Sequence, residues 1–233
     1  MALVSNRRSP DQRVLIIKTL LHAALLLPIA QLSVAAWQEQ TLGNGALGAD
    51  PIAAIEHALG IWALRILLLT LAMTPMSRVA KWPGVLRYRR LIGLYAFTYA
   101  TLHLLAYVGL DLKGYWMDLG TEIIKRPYIT VGFLAWLLLL VLAVTSPRSM
   151  VRQLGRRWKP LHRMIYPAAV LAVLHFFWVV KSDLTEPAMY GAVLAGLLIV
   201  RLPLPLAGRV KNQRHHQRGN RGADSDHPRQ PRQ

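Results

Sequence analysis

Residues 92–110 read IGLYAFTYATLHLLAYVGL, an apolar run of nineteen residues without Asp, Glu, Lys or Arg. A transmembrane helix needs about 20 mostly apolar residues to cross a hydrocarbon layer about 30 Å thick. A soluble helix of this length would carry charged residues on its solvent-facing side. The run therefore predicts a membrane span, and the whole chain agrees with it, since 54% of all residues are hydrophobic.

Five further stretches are long and apolar enough to cross a bilayer, so we predict six transmembrane helices. In chain order the six predicted spans lie at 14–36, 55–73, 92–110, 128–145, 164–180 and 188–206. The predicted fold class is an all-α integral membrane protein with a six-helix bundle over residues 14–206. Residues 1–13 precede the bundle, and residues 207–233 form a basic tail with too few apolar side chains to fold. No internal sequence repeat is evident.

The basic residues are distributed unevenly along the chain, which has 28 Lys and Arg against 11 Asp and Glu and a formal net charge of +17. Of these 28, 22 lie before the first span, at 74–91, at 146–163 or from Arg201 onward, and four lie in the alternate connections. By the positive-inside rule, both termini are expected to face the cytoplasm. The tail is either a solvated segment or a binder of anionic membrane lipid. Because the charge sets orientation, no nucleic-acid partner is expected.

The chain contains no cysteine. This excludes disulfides, iron–sulfur clusters, cysteine-held zinc, covalently attached heme and thiolate nucleophiles. Any metal chemistry must therefore use histidine or carboxylate ligands.

Histidine inside a membrane span is costly and usually faces a partner, a cavity or a cofactor. His103 and His175 each lie eleven residues from the predicted inner end of their span, at a depth of about 17 Å. Their two helices are predicted to run in the same direction, so the two imidazoles can face each other across one iron. With no cysteine available, such a heme would be non-covalent and b-type.

Three other histidines fall in or at the ends of predicted spans. His162 lies thirteen residues before His175, which places it at the cytoplasmic rim. For every span histidine the alternative is a hydrogen bond to a neighbouring helix, and this is the expectation for His22 and His57.

Arg65 is a cation inside the second predicted span, about 13 Å from its inner end. An unpaired cation at this depth is expensive. We therefore expect an anionic partner for Arg65, such as a heme propionate or a phosphate.

Several short segments occur in an order and spacing that resembles a known family. They are LGADP (47–51), TPMSR (74–78), RYRRLIGLY (87–95), ATLHL (100–104), KRPYIT (125–130), LGRRWKPLH (154–162) and HFFWVVK (175–181). Together they resemble the MsrQ family, the heme-binding membrane subunits of a periplasmic protein-methionine-sulfoxide reductase system within the ferric-reductase-like transmembrane group. The resemblance covers about residues 10–205 and leaves out the tail.

The resemblance implies a multi-pass protein of the bacterial inner membrane with b-type heme and bound FMN. Electrons would come from the quinone pool or a cytoplasmic flavin reductase. They would pass to a periplasmic, molybdopterin-containing methionine sulfoxide reductase that repairs oxidised proteins. His103, His162 and His175 would be the heme-associated histidines. This chain would be the electron-transfer subunit, and the sulfoxide chemistry would belong to its partner.

The chain departs from the wider ferric-reductase group at one place. That group usually offers a second histidine on the third span, thirteen or fourteen residues inward of the first, where this chain has Arg90 and Arg89. An inner heme would need another ligand, such as His22 or solvent, or His162 would serve a different cofactor. The two guanidinium groups could hold heme propionates, a flavin phosphate or a quinone carbonyl. The alternative is that they are only positive-inside anchors at a helix start.

Two other functional classes are alternatives. One is a proton-conducting or transport protein in which span histidines relay protons, and the other is a non-catalytic membrane scaffold. The interrupted helix pairs typical of transporters are not evident, and neither class explains two histidines at equal depth on parallel spans. No hydrolase constellation stands out either, because Glu56 beside His57 lacks a second carboxylate at a suitable spacing.

Overall fold

The computed structural model describes residues 10–43, 45–180 and 183–201, and these residues contain helices and no strand. The all-α class is therefore confirmed for the described part of the chain. In chain order the α-helices are α1 (Pro10–Leu42), α2 (Pro51–Val79), α3 (Arg89–Ala106), α4 (Trp116–Lys125), α5 (Pro127–Val144), α6 (Arg148–Leu154), α7 (Trp158–His162), α8 (Ile165–Val179) and α9 (Thr185–Ile199). All of them belong to one compact unit that ends at Val200. The predicted tail at 207–233 and most of the predicted N-terminal segment lie outside the described residues.

Shorter turns extend or join some of these helices. A 3₁₀ turn at Pro83–Tyr88 leads into α3, and a π-helical turn at Tyr107–Asp111 continues α3 at its other end. A second 3₁₀ turn, Gly155–Arg157, joins α6 to α7.

The described residues contain four helical segments long and apolar enough to span a membrane. These are Gln12–Leu42, Pro51–Val79, Pro83–Asp111 and Pro127–Val144. A fifth candidate is the broken pair Arg148–His162 and Ile165–Val179, whose two parts are inclined by 44°. The structure thus has four or five candidate spans where the sequence predicted six. The sixth predicted span, 188–206, overlaps the short apolar helix α9 and ends outside the described residues.

The predicted span at 164–180 corresponds to α8, Ile165–Val179, which is one residue shorter at each end. Residues 163–164 form a turn between α7 and α8. Pro167 is the third residue of α8, where its missing N–H costs little because the first N–H groups of a helix have no acceptor within it. The proline therefore lies in the first turn of α8 and does not kink the middle of a span.

The helices pack as two pairs, with α2 most extensively against α3 and α5 against α8. Ala96 of α3 and Ala168 of α8 are fully buried, and such small residues let helix backbones approach closely. Polar contacts add further links between helices. Tyr99 Oη of α3 donates to the Leu25 carbonyl of α1 at 2.7 Å, and Trp136 Nε1 of α5 donates to Thr101 Oγ1 of α3 at 3.0 Å.

Candidate functional site

A cavity of about 460 Å³ lies among α2, α3, α5 and α8. His103 of α3 and His175 of α8 both line it. The centroids of the two imidazole rings are 6.2 Å apart, and the ring planes are inclined by 71°. The structure therefore brings together the two histidines that the sequence places at equal depth.

Each imidazole is held by a backbone carbonyl of a neighbouring helix. His103 Nδ1 lies 2.9 Å from the Glu56 carbonyl oxygen of α2, and His175 Nδ1 lies 2.7 Å from the Tyr128 carbonyl oxygen of α5. A carbonyl oxygen only accepts hydrogen bonds, so each Nδ1 must carry the proton and donate it. In the neutral ring, Nε2 then has a free lone pair, which is the form of histidine that binds a metal.

Two glycines allow this approach, each four residues after the residue that supplies the carbonyl. A Cβ atom on Gly132 would lie 2.7 Å from His175 Nδ1, and one on Gly60 would lie 3.3 Å from His103 Nδ1. The first distance is a clash and the second is a tight contact. A side chain at these positions would push the imidazole away from its carbonyl, so the glycines fix where the two rings lie.

The two halves of the site repeat each other with a constant offset of 72 residues, although no sequence repeat is evident. Glu56 corresponds to Tyr128 and His103 to His175 in the hydrogen bonds. Gly60 corresponds in the same way to Gly132. The pair α2–α3 is therefore built like the pair α5–α8, and each pair presents one imidazole to the shared cavity.

The histidine pair fits an iron that receives its remaining ligands from a macrocycle. Metal–nitrogen bonds to imidazole are about 2.0–2.1 Å long, so two imidazoles on opposite sides of one metal have ring centroids about 6.3 Å apart. The observed separation is 6.2 Å. No group of three or more His, Cys, Asp or Glu that could hold a metal ion occurs in the part of the chain that the structure describes. Two histidines alone cannot complete the coordination sphere, whereas two histidines and a porphyrin can.

The cavity is polar at one end and apolar at the other. Its polar mouth lies where α2 and α5 begin and α3 ends, and consists of Glu56, His57, Tyr107, Asp111, Arg126 and Tyr128. Deeper along the same helices, the lining residues include Leu64 and Leu67 of α2 and Ala135 and Leu139 of α5. In the topology predicted from the basic residues, the polar mouth faces the outer side of the membrane.

Contacts at the polar mouth link α3, α4 and α5. Arg126 Nε lies 2.6 Å from Glu122 Oε2, and Arg126 Nη1 donates to Tyr128 Oη at 3.0 Å. Tyr107 Oη donates to Glu122 Oε2 at 3.3 Å. The hydrogen bond to Tyr128 and the negative charge of Glu122 raise the pKa of Arg126. This arginine is therefore a permanent cation.

His162 and the arginine pair are not among the residues that line this cavity. His162 stacks on Trp158 with ring centroids 4.0 Å apart. Both its ring nitrogens are shielded from solvent, and the groups that they approach are the backbone of Trp158 and Leu142. Arg89 Nη1 donates weakly to Thr74 Oγ1 at 3.4 Å, and Arg90 is exposed.

His22 and Arg65 also lie apart from the cavity, and both have tyrosine partners. His22 Nδ1 is 2.7 Å from Tyr95 Oη, in line with the expected hydrogen bond between helices. Arg65 Nε donates to Tyr190 Oη of α9 at 2.7 Å, and its guanidinium carbon lies 5.2 Å from the centroid of a Trp62 ring. The structure gives Arg65 a phenol and an indole where the sequence led us to expect an anion.

Arg126 lines the cavity but was not predicted from the sequence as a site residue. It belongs to the KRPYIT segment and precedes the proline that begins α5. Its position at the start of an apolar span was visible in the sequence. Its proximity to the histidine cavity was not, because that proximity depends on how four helices pack.

Comparisons with known proteins agree with this architecture. The family model described as ferric reductase like transmembrane component matches residues 59–173, which run from α2 into α8. A protein of Xanthomonas axonopodis pv. citri is 55% identical over 197 residues, covering 84% of this chain and 90% of the relative. A protein of Rhodospirillum rubrum is 48% identical over 192 residues, covering 82% of this chain and 89% of the relative. No solved structure matches.

Both relatives carry the same name, protein-methionine-sulfoxide reductase heme-binding subunit MsrQ. The identity extends over most of both chains and includes all the helices that build the histidine cavity. This chain is a multi-pass membrane protein and belongs to the MsrQ family.

Proposed function

We propose that this protein is a membrane electron-transfer subunit that holds a b-type heme between α3 and α8, with His103 and His175 as the two axial ligands. The observation that carries the proposal is the pair of imidazoles in one cavity, 6.2 Å apart, each with Nδ1 bound to a carbonyl. The name that the relatives carry, heme-binding subunit, supports the same cofactor. When bound, heme supplies a reversible one-electron change of the iron.

The residues of this chain orient the ligands and exclude water. The two carbonyl hydrogen bonds fix the tautomer and rotation of each imidazole and increase its strength as a ligand. Leu64, Leu67 and Leu139 form apolar walls that influence the redox potential through the local dielectric. The same hydrogen bonds oppose the proton-relay alternative, because each Nδ1–H ends on a backbone carbonyl, which cannot pass a proton on.

His162 is proposed as a ligand of a second, inner cofactor. Both its ring nitrogens are shielded from solvent and its ring stacks on Trp158, and its position in the LGRRWKPLH segment of the family supports a role in holding a group. Arg89, Arg90, Arg65 and His22 stay candidates for that group's environment. FMN is proposed as a further bound cofactor on the strength of family membership.

The direction of electron flow is part of the proposal. The chain would have six spans with both termini in the cytoplasm of a bacterium, lying in the inner membrane. Electrons would enter from the quinone pool or a cytoplasmic flavin reductase. They would leave to a periplasmic molybdopterin-containing reductase that converts methionine sulfoxide in oxidised proteins back to methionine. That conversion consumes two electrons and two protons and releases water, so two one-electron steps through this subunit are needed per sulfoxide.

The proposal is tested by measuring heme and electron transfer on the same purified protein. We expect a stoichiometric pyridine hemochrome, and a reduced heme that is reoxidised by the periplasmic reductase only when methionine sulfoxide is present. His103→Ala and His175→Ala should abolish both, whereas His57→Ala, at the mouth of the same cavity, should retain both. A wild-type protein that binds no heme after reconstitution would contradict the proposal.

A further inference from the structure

The cavity offers very different surroundings to the two edges of a porphyrin. A b-type heme carries two propionate carboxylates on one edge and only methyl and vinyl groups on the opposite edge. The deeper end of the cavity is lined by leucine and alanine, where an ionised carboxylate would be left unpaired at high cost. The carboxylate edge therefore belongs at the polar mouth.

The polar mouth contains one residue suited to bind a carboxylate. Arg126 is the only Lys or Arg among the described residues that line the cavity. Its Nε contacts Glu122 and its Nη1 contacts Tyr128, which uses two of the five N–H donors of a guanidinium group. Three donors remain, and arginine binds carboxylates in a two-pronged geometry that lysine cannot supply.

We propose that Arg126 binds a propionate of the heme and thereby fixes the macrocycle with its carboxylate edge toward the polar mouth. This inference rests on the proposed function, since it assumes a heme between His103 and His175. It adds an anchoring residue from the α4–α5 junction. It also places the carboxylate edge of the cofactor on the side from which electrons would leave.

Neighbouring acids make this cation necessary. Glu56 and Asp111 line the same mouth, and Glu122 already neutralises part of the Arg126 charge. Without Arg126, no Lys or Arg side chain that lines the mouth would offset the negative charge of Asp111, and like charges repel. Arg65 cannot replace it, because Arg65 does not line the cavity and hydrogen-bonds to Tyr190 on α9.

The test titrates the full-length apoprotein with hemin and with hemin dimethyl ester, in which both propionates are neutral. For wild-type protein we expect the ester to bind at least about tenfold more weakly than hemin, since a hydrogen bond between charged groups is lost. Arg126→Gln should weaken hemin binding by a similar factor and should bind hemin and its ester almost equally. Loss of this positive charge should also lower the midpoint potential of the heme, because the reduced state carries one more negative charge.

Two control variants separate propionate binding from folding of the junction. Glu122→Gln breaks the same ion pair but keeps the cation, so it should bind hemin as well as wild type or better. Lys125→Gln removes the neighbouring cation, which does not line the cavity, and should change nothing. If Glu122→Gln loses as much heme as Arg126→Gln, the loss is caused by disruption of the α4–α5 junction, and the inference is overturned.

The outcomes also separate this inference from the proposed function. If wild-type protein binds hemin and Arg126→Gln binds it equally tightly, with the same loss on esterification, the inference is wrong and the heme proposal stands. If wild-type protein binds neither form, the proposed function itself is wrong.

Discussion

At the scale of single residues, the position of each imidazole depends on a helix carbonyl and on the absence of a side chain one turn further along the same helix. Gly132 approaches His175 more closely than Gly60 approaches His103. The hydrogen bond is correspondingly shorter for His175, 2.7 Å against 2.9 Å. Gly132 therefore leaves less room beside His175 than Gly60 leaves beside His103, although the two halves of the site are built in the same way.

We predict that Gly132→Ala displaces His175 and lowers heme occupancy strongly, whereas Gly60→Ala lowers it less. The added methyl group would lie 2.7 Å from His175 Nδ1 in the first case and 3.3 Å from His103 Nδ1 in the second. Overpacking of this kind costs about 1–3 kcal/mol. Pyridine hemochrome and thermal loss of the Soret band measure both effects. Gly196→Ala on α9, where a Cβ meets nothing within 4 Å, is the control. Equal heme content in all three variants would refute the steric argument.

The histidine pair was predictable from the sequence and its glycine supports were not. Two histidines at one depth on two apolar runs are visible in the chain, because helical rise converts position into depth. Gly60 and Gly132 look like any other glycines, since their purpose appears only when a second helix brings an imidazole against them. Arg65 shows the opposite case. An intramembrane cation predicts a partner, but the chain alone does not reveal that the partner is Tyr190.

At the scale of helices, apolar composition located the spans but not their breaks. The run at 164–180 predicts a membrane helix, and the structure contains α8 there. The helical segments Arg148–His162 and Ile165–Val179 are inclined by 44° and meet at the turn formed by residues 163–164. The hydrophobicity of a sequence run does not predict the angle between consecutive helices. His162 lies before this turn, in α7, and does not line the cavity that His175 lines.

Contacts between helices should have small, measurable effects on how tightly the helices hold together. Trp136 of α5 bonds to Thr101 of α3 and also lines the histidine cavity. We predict that Trp136→Phe, which keeps an aromatic ring but removes the N–H donor, destabilises the heme-bound protein by about 0.5–1.5 kcal/mol. Thermal release of heme in detergent measures this. Trp37→Phe, at an exposed indole of α1, should leave the release temperature unchanged. Equal release temperatures for Trp136→Phe and wild type would show that the contact contributes nothing.

At the scale of the whole molecule, two helix pairs of the same design enclose one cavity. The offset of 72 residues relates hydrogen bond to hydrogen bond and glycine to glycine. This relation was not visible in the sequence, because few identical residues repeat and only those that position the imidazoles need to match. The family could nevertheless be identified from short segments, since their order along the chain is far more specific than any one of them.

The absence of native cysteine makes the predicted orientation directly measurable. A single cysteine replacing exposed Lys113, in an outer connection, should react with a membrane-impermeant thiol reagent in intact spheroplasts. A cysteine replacing exposed Arg152, in an inner connection, should react only after the membrane is permeabilised. The reverse labelling pattern would invert the topology and with it the assignment of the polar mouth to the periplasmic side.

The central claim is that His103 and His175 bind one iron from opposite sides, and electron paramagnetic resonance of the oxidised protein tests it most directly. Two axial imidazoles with ring planes inclined by 71° should give a low-spin ferric signal of large anisotropy. His103→Ala and His175→Ala should each lose that signal, and His57→Ala should keep it. A low-spin signal that persists unchanged in either single variant would contradict the account.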